Sequence, residues 1–513
     1  PLYLHCREHS FPTRRSSDLG RVGRDLKISG GAIQTAVGDI DLHVGRDLVL
    51  ENVRDFGSNT DLFRSLGSIR TLGEYPAGAE GLSAYWEYDQ GGDIVLLVKD
   101  SVKGNVNRTT DQNRNAWDFA YGARPPREWS ASYEGSDATE GIATLGGGNI
   151  EMLVGGDFVT QAGTFGKGDF SLFAGGSVDG RFLVKDGEAE IRAMGNIGRG
   201  PMGVVLEAFD ARITAAALGH ADIAAIVNPT IARAPFTGTE WELGYTADSS
   251  VGIRAALGDV TLRGDSPYYD ISSSFARLEK VLPPTLEIIA GRDILIRSEL
   301  ALAPSPVGNL DLVAGRDIDG FYTRAGGAEA RALIAMSDLD PSRVYGYRRG
   351  FAVSNLFNRY LHASWPLHGG DPTPSRIQAD GEIRNLQLYL PEAAEITAGG
   401  DIRDIYLFGQ NVLPTDITSV FAGGSLLFSS AAAGSLDTGI EVAGPGALLI
   451  QACDSIDLGT TRGIQSVGST YNAILGDKGS DVLVAAGFRN VLGIDAVAGL
   501  FDELRTVGKE SSS

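Results

Sequence analysis

Short apolar runs recur along the chain, each set off by glycine: Leu48-Val49-Leu50, Ile94-Val95-Leu96-Leu97-Val98, Ile294-Leu295-Ile296 and Leu426-Leu427-Phe428. Runs of three to five aliphatic, β-branched or aromatic residues bounded by glycine are strand material. The phrase that introduces them also repeats. A small or aliphatic residue is followed by Gly, by Gly or Arg, by Asp or Ser, and then by an aliphatic or aromatic residue. It reads Val44-Gly45-Arg46-Asp47-Leu48, Val154-Gly155-Gly156-Asp157-Phe158, Ala174-Gly175-Gly176-Ser177-Val178 and Ala290-Gly291-Arg292-Asp293-Ile294. Further copies are Ala314-Gly315-Arg316-Asp317-Ile318, Ala398-Gly399-Gly400-Asp401-Ile402 and Ala422-Gly423-Gly424-Ser425-Leu426. Asp25 and Asp47 are 22 residues apart, Asp157 and Ser177 20, Asp293 and Asp317 24, and Asp401 and Ser425 24.

A period in the low twenties with one strand per copy predicts a stacked solenoid, because a single unit cannot bury its own apolar face. In the repeat, Gly supplies the positive φ that a sharp corner demands. The Asp, Ser or Asn after it (Asn196 in Gly195-Asn196-Ile197) accepts from nearby backbone N–H groups, and the aliphatic residue that follows points inward. The predicted architecture is all-β: a right-handed parallel β-helix with a few loop and helical insertions. Leu48, Ile94, Phe158, Ile294, Ile318 and Ile402 should face its interior. At ~4.8 Å per coil, about 15 coils make a rod roughly 70 Å long.

The phase of the repeat divides the chain. Residues 20–320 read as β-helix with long polar excursions at 51–90 and 101–140. Residues 321–395 read as an insertion with helical content, opened by helix-favouring sequence at 328–336. That insertion carries an aromatic and basic patch around Tyr345, Tyr347, Arg348, Arg349, Phe351, Phe357, Arg359, Tyr360 and Trp365. Residues 396–490 continue the β-helix, and 491–513 read as a short amphipathic helix and a loose tail. Residues 1–19 have no periodicity, and 10–19 resemble the conceptual translation of a short-read sequencing adapter, so they are set aside as non-native. On that reading the native N-terminus is missing, and the lack of a signal peptide says nothing about location.

A net charge of −21 and a pI near 4.7 set up a field that repels nucleic acid and anionic lipid, so no nucleic-acid partner is expected. No run reaches the ~18 apolar residues of a membrane span. The nearest, 213–227, is interrupted by His220 and Asp222. Beyond residue 19, Cys453 stands alone and cannot form an internal disulfide. That suits a chain exported unfolded through an oxidising compartment, and equally a cytosolic one.

Phrases such as Ile289-Ala-Gly-Arg-Asp-Ile294, Leu312-Val-Ala-Gly-Arg-Asp-Ile318 and Thr397-Ala-Gly-Gly-Asp-Ile402 resemble filamentous-haemagglutinin-like exoproteins. So do Ser435-Leu-Asp-Thr-Gly-Ile440 and Gly476-Asp-Lys-Gly-Ser-Asp-Val-Leu-Val484. The resemblance covers most of 20–490. It implies a secreted or surface-exposed bacterial adhesin fragment, exported by two-partner secretion through an outer-membrane barrel transporter. The implied partners are a host-cell or bacterial surface receptor or a glycan. Two departures stand out: the family's N-terminal secretion domain with its Asn-Pro-Asn-type motifs is absent, and Ala452-Cys453-Asp454-Ser455-Ile456 replaces the usual corner, which suggests a locally altered turn.

Few motifs carry chemistry. Arg263-Gly264-Asp265-Ser266-Pro267 matches the integrin-binding tripeptide, with Asp265 for a receptor-bound cation and Arg263 for an acidic pocket. The same residues also close an ordinary repeat strand. Asp437-Thr438-Gly439 lacks the second carboxylate that aspartic catalysis needs. The Gly-Gly-Asp units lack nine-residue calcium spacing. His43, His220, His362 and His368 form no recognisable ligand spacing. No catalytic residue, metal or cofactor is therefore expected. The favoured reading is a non-enzymatic adhesin segment; the alternatives are a β-helical polysaccharide lyase or hydrolase and a non-binding spacer.

Overall fold

The computed structural model describes residues 7–9, 17–29, 32–54, 64–73, 90–104, 141–200, 203–228, 240–241, 245–264, 280–324, 327–344, 348–349, 353–429 and 439–487. Strand accounts for 55% and helix for 3%, and long parallel sheets wrap almost closed around an axis, which makes the fold a parallel β-helix. Among the described residues no helix is long and apolar enough to cross a membrane.

Each coil contributes to three sheets. The first sheet stacks fifteen strands from Ser17–Val22 to Asp481–Ala486, each hydrogen-bonded to the equivalent strand one coil on. Its first strand corrects the lower boundary expected at residue 20: Ser17, Asp18 and Leu19, from the segment set aside as non-native, pair in register with Asp39, Ile40 and Asp41. The second sheet is made of short strands directly after the repeated phrase, such as Leu48–Arg54, Phe158–Val159, Ile294–Ile296 and Ile402–Arg403. The third sheet closes the coil with strands such as Gly141–Thr144, Glu299–Leu302 and Tyr406–Gln410. Arg181–Ala193 and Val204–Ala217 turn the corner from third sheet to first without a break.

Register explains why the repeat is needed. Ile294 lies between Val260 and Ile318, and Ile402 between Ile383 and Leu426, so the residue after each Asp stacks on its own equivalent. Leu48, Ile94, Phe158, Ile294, Ile318 and Ile402 are all fully buried, as expected. The alternation is visible in Asp39–Val44, where every second side chain is buried. One apolar cluster runs unbroken from Leu26 to Ala452. Burying each such aliphatic side chain stabilises by about 1.5–3 kcal/mol, but only if a neighbouring coil covers it.

The acid of the phrase works between coils. The Asp47 N–H donates to Asp25 Oδ1 at 3.3 Å, Ser101 N–H to Asp47 Oδ1 at 3.0 Å, and Ser177 N–H to Asp157 Oδ1 at 2.7 Å. The column continues through Asn196, His220, Asp259, Asp293 and Asp317, each side chain accepting from the next coil's backbone. A second ladder that the sequence reading missed runs along the opposite end of the first sheet. There Asp39, Asp93, Asn149 and Asp169 accept from the N–H groups of Asp93, Asn149, Asp169 and Glu188 at 2.7–2.9 Å. Its signal was Gly-Asp or Gly-Asn at 38–39, 92–93, 148–149 and 168–169. Asp157→Asn keeps the acceptor oxygen and is expected to stay within about 0.5 kcal/mol of the parent. Asp157→Ala strands the Ser177 N–H and should cost about 1–2 kcal/mol in urea unfolding. Equal effects of the two would remove the ladder's role.

These carboxylates also meet cations from adjoining coils. Hydrogen bonding to the Arg46 guanidinium lowers Asp25 to about 2. Lys103 lowers Asp47, Arg316 lowers Asp293, and Lys27 lowers Glu51. A carboxylate depressed in the folded state stabilises above its unfolded value near 4 and loses that contribution as pH falls through the folded value. Asp179, raised chiefly by burial, acts in the opposite sense. The unfolding midpoint should therefore hold from pH 7 to 5 and fall between about pH 4 and 2. A midpoint that holds or rises across that lower window would contradict it.

Several expectations need correction. The first glycine of the phrase does not take positive φ at 45, 155, 175, 291, 315, 399 or 423. In the coils that carry it, neighbouring backbones approach closely: a Cβ on Gly155 would lie 1.9 Å from the Lys99 carbonyl oxygen. Met194 and Leu218 fill the same place in their coils with side chains held in solvent. Cys453 leaves its corner unaltered, since its N–H donates to Ala422 O at 2.9 Å and the Asp454 N–H to Gly424 O at 3.0 Å.

A further correction concerns residues 328–336, read as helix. Glu329–Met336 is a third-sheet strand, with Ile334 paired between Leu300 and Leu388. Helix propensity differs by tenths of a kcal/mol per residue, and burial of Ala332 and Ile334 between two strands outweighs it. Ser375–Ala379 and Leu386–Leu390 are likewise coil strands, so among the described residues of 321–395 the chain leaves the coil in the Phe321–Thr323 hairpin and within 337–374, which carries a helical turn at Pro341–Val344 and a 3₁₀ turn at Val353–Phe357. Ser68–Thr71, within the expected excursion 51–90, is also a coil strand paired with Gly141–Thr144. Of the expected excursion 101–140, Val102–Lys103 is a second-sheet coil strand paired with Leu48–Val49 and Phe158–Val159, while 105–140 and the C-terminal helix lie outside the described residues.

Candidate functional site

Arg263 and Gly264 follow the second-sheet strand Val260–Leu262. The Arg263 N–H donates to Ile223 O at 3.0 Å, and its guanidinium pairs with Asp222 of the preceding coil. Gly264 has φ 65°, and a Cβ there would meet the Ser298 side chain at 2.5 Å. Asp265 lies outside the described residues. The geometry gives the arginine of this tripeptide a structural partner on the rod's own surface, with the two side chains 29% and 26% exposed.

The 337–374 excursion packs on the outer side of the third sheet, which leaves Tyr406–Gln410 and Gly439–Ala443 buried on both faces. Arg359 is the centre of that contact. Its guanidinium carbon lies 4.8 Å from the Tyr360 ring centre, 5.3 Å from Tyr406 and Phe408, and 5.8 Å from Tyr389. Beneath it Glu441 is 1% exposed, accepting from Tyr406 Oη at 3.1 Å and Arg462 Nη1 at 3.4 Å, with Arg359 Nη1 at 4.0 Å. Cation–π attraction and the buried carboxylate together hold the guanidinium out of water. The expected aromatic and basic patch is thus divided. Phe357 and Arg359 pack on the rod, Tyr360 and Trp365 are exposed, and the backbone of Arg348–Arg349 pairs with Glu240–Trp241. The side chains of Tyr345, Tyr347, Arg348, Arg349 and Phe351 lie outside the described residues.

Two histidines of the excursion meet buried acids. His362 Nδ1 hydrogen-bonds Asp338 Oδ1 and Oδ2 at 3.0 and 2.8 Å. Gln410 Nε2 donates to the same carboxylate at 3.2 Å, and Asn472 Nδ2 to Gln410 Oε1 at 2.7 Å. His368 Nδ1 comes within 2.9 Å of Glu392 Oε2, and Asp371 joins them so that one ligand atom from each lies within 4.8 Å of the others. Sequence spacing could not signal this group, because its members come from the end of the excursion and a turn beyond the next strands.

The outer face of the first sheet carries two further features. Glu151, Asp169, Glu188 and Glu190 line a polar groove with Arg212, which pairs with Glu188 at 3.2 Å. Leu97, Leu153 and Phe173 align across three consecutive coils, with Leu153 half exposed. In comparisons with known proteins, no family model, curated protein or solved structure matches this chain.

Proposed function

We propose that this chain is a rod segment of a secreted bacterial adhesin of the filamentous-haemagglutinin type, reaching its surface through an outer-membrane barrel transporter. The observation that carries the reading is the unbroken coil register from Ser17–Val22 to Asp481–Ala486, built from the phrases that resemble that family. A stiff rod holds its surface loops at fixed spacing, so weak contacts to a receptor or glycan add by avidity. The acidic balance of −21 fits a solvated surface that does not cling to nucleic acid or anionic lipid.

A polysaccharide lyase or hydrolase is the second reading, favoured by the acidic groove on adjoining coils. Glu151 and Glu190 occupy equivalent positions two coils apart, about 9.6 Å by coil spacing. A catalytic acid needs burial or a close like charge to hold its proton, and Glu151, Asp169, Glu188 and Glu190 are all exposed.

Purified chain should bind cells or an array of neutral and acidic glycans, and release no reducing ends or unsaturated products from a polysaccharide panel. Because Arg263 is engaged by Asp222, Asp265→Ala should leave binding unchanged. Turnover abolished by Glu190→Gln would replace this reading with the enzyme. Absence of both binding and turnover would leave a spacer.

A further inference from the structure

We propose that His368, Asp371 and Glu392 form a binding site for a divalent first-row transition-metal ion, zinc foremost, which fastens the end of the 337–374 excursion to the rod. His368 and Asp371 sit on one turn, closed by the Asp371 N–H donating to His368 O at 3.0 Å. Glu392 lies in the turn between the strands Leu386–Leu390 and Ala394–Ala398. The His368 and Glu392 side chains are 1% and 4% exposed. His368 Nδ1 and Glu392 Oε2 approach to 2.9 Å without hydrogen-bond alignment, and neither has another hydrogen-bond partner.

The other histidine of the excursion provides the contrast. His362 Nδ1 and Asp338 make aligned hydrogen bonds, as a buried imidazole–carboxylate pair should. Two ligands of one ion aim at the ion, not at each other, and at metal–ligand distances near 2.1 Å tetrahedral donors lie about 3.4 Å apart, a short shift from the separation seen here. The donors are also oriented from behind. Ser375 Oγ donates to Glu392 Oε1 at 2.6 Å, and the Thr373 N–H to Asp371 Oδ1 at 2.9 Å, so each carboxylate keeps one oxygen for the ion. An imidazole with two carboxylates suits zinc and its neighbours better than calcium or magnesium, which take oxygen ligands. Three protein ligands leave a position for water. A buried imidazole nitrogen and carboxylate oxygen without aligned bonds are costly alone, and an ion would satisfy both His368 Nδ1 and Glu392 Oε2.

The test uses the whole chain, stripped with EDTA, in millimolar magnesium chloride to occupy exposed acids. Zinc chloride is titrated calorimetrically, and metal retained after gel filtration is counted. One zinc per chain and a higher unfolding midpoint with zinc are expected, and cobalt in its place should show ligand-field bands. Asp371→Asn and Glu392→Gln should each weaken zinc binding about 10–100-fold. Asp371 is half-buried, so Asp371→Asn should keep the zinc-free midpoint, and it decides the matter if Glu392→Gln does not fold. A folded chain that retains no zinc overturns the proposal, as does undiminished affinity in Asp371→Asn.

Discussion

Phe158→Ala is expected to lower the stability of the rod by about 3–5 kcal/mol, the range for emptying a large aromatic site in a core that collapses poorly. Phe158 is fully buried at the start of the second sheet and lies 5.8 Å from Phe182, which in turn lies 5.9 Å from Phe170. These rings fill the interior across neighbouring coils, so a void in one coil removes contacts from the next. In a solenoid each coil is stabilised mainly by its neighbours. Amide exchange should therefore quicken first around Val102 and Val178, whose strands flank Phe158. Phe158→Leu should recover most of the loss. A urea midpoint unchanged by Phe158→Ala would mean that the ring is not part of the core.

The second large effect is expected at Arg181. Its guanidinium pairs with Glu207 on the outward side of the third sheet, and the two side chains are 6% and 0% exposed. Arg181→Ala leaves a buried carboxylate without its cation, which costs about 3–5 kcal/mol. The doubly substituted Arg181→Met, Glu207→Leu chain should regain most of that stability, because well-packed apolar replacements of a buried pair are often neutral. If Arg181→Ala and the double variant lose equal stability in urea unfolding, the cost lies in packing and not in the stranded charge.

Location of these residues shows what could be read in the chain. Repeated Gly-Asp phrases followed by Leu48, Phe158, Ile294 or Ile402 made the coil, its inward residue and its stacking direction legible, since each is a local pattern repeated at a fixed period. The role of the acids as corner acceptors was legible as well, although only the stacked coils reveal that each one serves the coil that follows. Residues 328–336 misled because their local preference for helix is small and only long-range pairing with Leu300 and Leu388 opposes it. The cage around Arg359 was half visible as an aromatic cluster. Tyr389, Tyr406 and Phe408 belong to strands read as plain repeat, and nothing local tells which side of such a strand will be covered.

By itself, then, the sequence determined the period, the all-β class and the inner face, because stacking equal coils needs only one short pattern repeated in phase. Tertiary structure alone decided which outer faces are buried, where Arg181, Glu207, Arg359 and Glu441 lose water, and that His368, Asp371 and Glu392 converge. The physical reason is separation along the chain. Glu441 lies far from Arg359 in sequence, and Glu392 reaches His368 only after three strands of the rod have intervened. Contacts of that kind follow from how an excursion lands on the rod, which no repeat of twenty-odd residues encodes.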